Sequence, residues 1–194
     1  MTQTLDLLPP RAAFRDSYRS LVAEFVAAGE KLVPFTLAFD HQDFAAFLDR
    51  LDACARGIGL PDGFVPHSTF WLVSDGSKVL GVSNIRHSLT PALRREGGNI
   101  GYGIRPSARG RGLGVTILRQ SLARAAEMGL TQVLVTCSKQ NLASAKSITR
   151  NGGIFDSEEY LPDRGEIVQR YWIANGFRDD AGAPDGEGGC RAAP

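Results

Sequence analysis

The chain has 194 residues, 43% of them hydrophobic, with 22 Lys and Arg against 21 Asp and Glu for a net charge of +1. That length supports one domain with a full core and falls short of two comfortable ones. The balanced charge excludes a global pull toward nucleic acid or membrane, and no apolar run approaches the roughly 18 residues of a transmembrane helix.

Residues Arg11–Ala28 follow a proline pair and place Phe14, Leu21, Val22 and Phe25 at helical spacing, with Gly29 as the stop. A second helix is predicted over Asp40–Arg56, capped by Asp40, with Phe44, Phe47, Leu48 and Leu51 as its apolar stripe. A hairpin follows, Thr69–Val73 and Val79–Arg86, turning at Asp75-Gly76. Thr90 caps a short helical turn, Pro91–Arg95. Asn99–Arg105 alternates Ile100, Tyr102 and Ile104 with Gly101 and Gly103, and glycines in a strand mark close approach of another backbone or a ligand. Leu113–Glu127 is the clearest helix, with Val115, Leu118, Leu122 and Ala125 on one side and Gly129 at its end. Thr131–Cys137 reads as a buried strand, so Asn99–Cys137 is predicted to be a βαβ unit with a parallel pair. A helix capped by Asn141 runs to Asn151, and strands over Ile154–Tyr160 and Glu166–Ile173 follow. Residues 1–176 are expected to form one domain, and 177–194, rich in Gly, Ala and Asp, a disordered tail.

Cys54, Cys137 and Cys190 form no CxxC pair, and His41, His67 and His87 are scattered. The expectation is a reducing cytoplasmic setting without a metal site. Met1–Pro10 lacks the basic start and apolar core of a secretory signal.

The informative segment is Arg105-Pro106-Ser107-Ala108-Arg109-Gly110-Arg111-Gly112-Leu113-Gly114, between a strand and a helix start. Glycines let successive amides converge as an anion nest, and the helix adds its unsatisfied N–H groups and the positive end of its dipole. Arg109 and Arg111 add positive charge, which suits a di- or polyphosphate. From Arg86 to Arg124 there are eight arginines and one acid, Glu96. A P-loop is excluded because no Lys-Ser/Thr follows. A dinucleotide fingerprint is excluded because the spacing is Gly110-x-Gly112-x-Gly114 and the strand after the helix ends without an acid.

What remains, Arg-x-x-Gly-x-Gly at Arg109, Gly112 and Gly114, resembles the signature of the GNAT acetyltransferase family. Asn141, Ser144, Gly152 and Gly153 resemble its second signature, and the likeness runs over about residues 10–175. The resemblance implies an α/β fold: N-terminal helices, a mixed and mostly antiparallel sheet with a splayed parallel pair, and a C-terminal strand pair. It implies acetyl-CoA as co-substrate and a primary amine of a small molecule or peptide as acceptor, in a ternary complex without an acyl-enzyme, by a monomer or homodimer. The alternative is a CoA-binding regulatory module without catalysis. By the same resemblance the amides of Arg109, Gly110, Arg111, Gly112, Leu113 and Gly114 hold the pyrophosphate, the backbone of Gly103, Ile104 and Arg105 pairs with the pantetheine arm, and Asn141 and Ser144 contact the cofactor. An amide near Ile104 is placed to polarise the thioester carbonyl.

The family's Tyr, seven residues after the Asn, is here Ile148. Ser144 or Ser147, or one of Tyr102, Tyr160 and Tyr171, is then the candidate acid. An alkyl ammonium has a pKa of about 10, so its proton must be removed at neutral pH. Candidate bases are Glu158, Glu159, Glu96 and His87, or a water chain. Adjacent strand residues face opposite ways, so at most one of Glu158 and Glu159 points inward. A nucleic-acid role for the Arg-rich stretch is disfavoured because no aromatic side chains interleave it.

Overall fold

A computed structural model describes residues 4–176. The chain forms β1 (Leu5–Leu8), α1 (Arg15–Ala27), α2 (Phe44–Ala55), β2 (His67–Ser74), β3 (Lys78–Arg86), α3 (Pro91–Arg95), β4 (Ile100–Ile104), α4 (Leu113–Glu127), β5 (Gln132–Ser138), α5 (Leu142–Arg150), β6 (Ile154–Leu161) and β7 (Glu166–Ala174). The 177–194 tail lies outside the described residues. Among those described, no helix is long and apolar enough to cross a membrane.

Local chemistry sets most boundaries. Asp75 and Gly76 both take positive φ, 48° and 67°, the mirror-image turn that matches the twist of β2 and β3. Thr90 accepts from the Leu93 amide, and Asn141 accepts from the Ser144 amide, capping α3 and α5. The predicted cap of α2 is displaced. Asp43 accepts from the amides of Ala45 and Ala46, whereas Asp40 closes a local turn by accepting from Gln42. Two carboxylates in a four-residue run competed, and the one next to the apolar stripe took the helix.

Strands order as β1-β2-β3-β4 in one sheet and β5-β7-β6 in the other, with every pairing antiparallel. The predicted splayed pair is β4 and β5, which form no ladder with each other among the described residues. The two strands are facing sheet edges, joined at one point. There the Asn99 amide donates to Leu134 O (2.7 Å), Asn99 Oδ1 accepts from the Leu134 amide (2.9 Å), and the Gly97 amide donates to Thr136 Oγ1 (3.0 Å). Gly98 makes this approach possible, since a Cβ on it would sit 2.4 Å from Leu134 O.

Helices α1 and α2 cover one face of the larger sheet. Tyr18 stacks on Trp71 at 4.6 Å and packs against Phe47, with Leu21, Phe25, Leu51 and Val82 filling the same core. Helix α4 covers the other face through Leu113, Ile117, Leu118, Leu122 and Ala125. Val115, predicted for that stripe, is only half buried, and the stripe runs instead through Ile117.

Beneath the 35–38 turn lies a polar cluster. Asn84 Nδ2 donates to His67 Nδ1 (2.9 Å) and to Thr69 Oγ1 (3.1 Å). Burial, and then the charges of Arg86 and His87, push the His67 pKa from 6.5 to about 4. The folded His67 stays neutral while the unfolded one takes a proton below about 6.5. Stability should therefore rise with pH between about 4 and 6.5, and a His67→Gln variant should flatten that limb in urea melts taken across the range.

Candidate functional site

The segment joining β4 to α4 begins with a single 3-10 turn, Pro106–Ala108, and ends with Gly112 as the N-cap of α4 at φ 76°. Gly110 takes φ 78°. Both angles lie in the left-handed region that glycine alone enters freely, so the turn needs glycine at these positions. The result is an array of donors. Among the described residues, no carbonyl or side chain accepts from the amides of Gly110, Arg111, Gly112, Leu113 or Gly114, and intrahelical bonding starts with Val115 donating to Gly112 O. Five consecutive free N–H groups at the positive end of a 15-residue helix make a nest of the kind suited to an anion.

The nest opens on a cavity of about 710 Å³ between β4, α4 and α5. Gly103, Ile104, Arg109, Gly110, Gly112, Leu113 and Gly114 line it from one side, and Asn141, Ser144, Lys146, Ser147 and Arg150 from α5. Helices α4 and α5 meet closely at Gly114, where a Cβ would lie 2.8 Å from Ser147 Oγ. Lys146 and Arg150 sit one turn apart on the α5 face toward the cavity, and neither has an acidic partner among the described residues. Sequence reasoning missed both. Their spacing of four after the Asn141 cap was the available signal.

Strand β4 has one open edge. The Arg105 amide donates to Leu80 O and the Arg86 amide to Asn99 O, so in the β3–β4 ladder the odd-numbered β4 residues turn their main chain toward β3. The N–H groups of Tyr102 and Ile104 therefore face away from β3, along the cavity. Of the predicted trio Gly103, Ile104 and Arg105, only Ile104 offers an amide there.

Arg105 leaves the candidate set for a further reason. Its side chain is 4% exposed and turns under α1, donating to Val79 O, Ser20 Oγ, Ser17 O and the Glu24 carboxylate. Its carbonyl accepts from Ala108. Gly103 is explained by the protein as well. A Cβ there would fall against Val33 O, with Phe25 at 3.2 Å, and a Cβ on Gly101 would touch Pro34. Gly103 admits the 33–34 segment packed on β4, whereas a Cβ at 101 would make only an ordinary contact.

Arg109 is not mobile. It grips Glu30 through both guanidinium ends (2.6 and 2.7 Å), donates to Ile104 O, and lies over the Phe25 ring. Its bonds to Glu30 hold that carboxyl below the usual range against the opposing effect of burial. Arg111 is exposed and has no partner among the described residues.

The candidate bases Glu158, Glu159, Glu96 and His87 lie outside the cavity lining, and Glu96 is paired with Arg164. Glu158 accepts from Lys139 Nζ (2.7 Å) and Gln169 Nε2 (2.9 Å), and these bonds lower its pKa, which weakens it as a base. Glu159 is paired with Arg95 and Arg170. His87 Nε2 lies 2.9 Å from Ser68 Oγ, and burial lowers its pKa. Ser144 does line the cavity, with Oγ 3.2 Å from Tyr102 Oη. Ile148 is fully buried in the core under α5.

A profile of the acetyltransferase (GNAT) domain matches residues 16–154, most of the chain. The chain belongs to the GNAT acetyltransferase family.

Solved structures show the same fold at low identity. The ribosomal L7/L12 alpha-N-protein acetyltransferase RimL, solved in complex with coenzyme A, superposes with a TM-score of 0.65 at 17% identity, over 88% of this chain and 94% of that one. The microcin C7 self-immunity acetyltransferase MccE, in complex with acetyl-CoA and AMP, gives 0.63 at 14%, over 88% and 92%. RimJ of Mycobacterium smegmatis, in complex with CoA-disulfide, gives 0.63 at 17%, over 88% and 81%. A search of curated protein sequences returned no match.

Proposed function

We propose that this GNAT protein transfers the acetyl group of acetyl-CoA directly to a primary amine on a small molecule or peptide, in a ternary complex. The observation that carries the reading is the row of five free amides, Gly110 to Gly114, beside the cavity, which Gly110, Gly112, Leu113 and Gly114 line. A pyrophosphate satisfies those donors, and the positive charges of Lys146 and Arg150 favour further phosphate at the rim. The pantetheine arm then runs along the open edge of β4 as an added strand. The Ile104 amide points into the same cleft and stabilises the oxyanion formed when an amine attacks the thioester. No side chain here demands a covalent intermediate. Cys137 is buried beside the core, and burial pushes its thiol up, away from the thiolate form a nucleophile needs.

Glu158 and Glu159 are both committed to ion pairs, so the ammonium proton leaves through water in the acceptor cleft. That the related structures include a protein N-terminal acetyltransferase and a self-immunity acetyltransferase supports an amine acceptor and leaves its class open. The buried Ile148 favours one competing reading, a CoA-binding module without catalysis.

Two measurements test the proposal. Calorimetric titration should show 1:1 binding of CoA. Thiol release from acetyl-CoA should then rise with at least one member of a panel of polyamines, aminoglycosides, amino acids and peptides with free N-termini. Binding with no turnover across the panel would select the module reading, and absence of CoA binding would remove both.

A further inference from the structure

We propose that the Tyr102 hydroxyl, oriented by Ser144, donates a hydrogen bond to the CoA sulfur and stabilises the departing thiolate. This rests on the cofactor reading above and adds the group it lacks.

Three observations place Tyr102 there. First, the side chains of Ile100, Tyr102 and Ile104 lie on one face of β4, the face covered by α4 and α5. Second, the Tyr102 ring passes the first turn of α4, since a Cβ on Gly114 would lie 3.9 Å from its Cε2. Third, its Oη ends 3.2 Å from Ser144 Oγ on α5, within the lining of the cavity. An arm that starts at the Gly110–Gly114 amides and follows the β4 edge passes this hydroxyl. The backbone of Ser144 is held at the start of α5, its amide donating to Asn141 Oδ1. Ile148 fills the core and presents no donor, and Tyr102 brings a phenol to the cavity from β4.

The chemistry balances without proton transfer from tyrosine. As the tetrahedral intermediate collapses, the carbon–sulfur bond breaks, its electron pair goes to sulfur, and the carbonyl re-forms on the new amide. The proton of the attacking amine goes to solvent. A thiol has a pKa of about 8.5 and a phenol about 10, so the proton stays on oxygen and the interaction is a charge-assisted hydrogen bond. Burial pushes the Tyr102 phenol up, and the opposing bonds to Ser144 and Ser147 are weaker, so the donor persists across the neutral range.

The test reads the sulfur directly and needs no acceptor amine. CoA is bound to wild type and to Tyr102→Phe, which keeps the packed ring, and the bound thiol is titrated by its thiolate ultraviolet absorbance. The expected result is a thiol pKa about one unit lower in wild type than in the variant, the size of one charge-assisted hydrogen bond. CoA affinity at neutral pH should remain within about threefold. Glu30, Lys31, Arg109, Lys146 and Arg150 also line the cavity and are the same in both proteins, so the difference isolates the hydroxyl. Ser144→Ala should give a smaller shift in the same direction, because Tyr102 loses its orienting partner. Equal thiol pKa values with CoA bound to both proteins would overturn the Tyr102 assignment and leave the cofactor site standing. Failure of wild type to bind CoA would remove the cofactor reading and this one with it.

Discussion

Gly112→Asp should weaken CoA binding by at least about 100-fold with the fold intact. A Cβ on Gly112 meets nothing within 4 Å, so the side chain has room. Its backbone sits at φ 76°, a conformation costing an L residue roughly 1–2 kcal/mol, with Asp among the better tolerated. The new carboxylate stands among the five free amides. It satisfies donors meant for the ligand and repels an incoming phosphate with about 4 kcal/mol at 4 Å for an effective dielectric near 20. Gly112→Ala carries the strain without the charge and should cost about tenfold or less. Calorimetry on the two variants separates the contributions. If Gly112→Asp binds CoA within twofold of wild type, the nest is not the phosphate site.

Arg105→Ala should cost about 3–5 kcal/mol of stability, read as a shift of the urea midpoint with unchanged slope. The guanidinium is nearly sealed from solvent, and its loss takes a donor from Val79 O, Ser17 O, Ser20 Oγ and the Glu24 carboxylate at once. A loss under about 1 kcal/mol would show that water replaces those bonds. Glu24 adds a pH signature. Burial raises its pKa, but the bonds from Ser107 and Arg105 outweigh it and hold the carboxyl below its usual value. The stability it supplies is thus full above the unfolded carboxylate value of about 4.3 and is lost as pH falls through the lower folded value. In Arg105→Ala that acid limb should shrink.

Arg105 also shows where sequence reading stops. Chain-local features were legible: the Thr90 and Asn141 caps, the Asp75-Gly76 turn, the bounds of α4 and the glycine-rich turn before it, because each depends on neighbours within about four residues. What failed depends on distant partners. Arg109 looked like a free cation next to Arg111, yet its charge is taken by Glu30, 79 residues earlier. Gly103 lines the cavity, yet the close approach its missing side chain allows is that of Val33 O. β1 went unnoticed because four residues before a proline pair carry little periodic signal and its partner is β2, more than 60 residues on. The splayed β4–β5 pair, by contrast, was legible in the strand–helix–strand order. The approach of Gly97–Asn99 to β5 holds the strands at one point and leaves both edges open above it.

Amide hydrogen exchange with and without saturating CoA tests the central claim most directly. The amides of Gly110 to Gly114 have no acceptor in the unliganded protein and should exchange quickly, then slow strongly when the pyrophosphate accepts from them. Unchanged fast exchange at those five positions, under conditions where CoA is bound, would contradict the account.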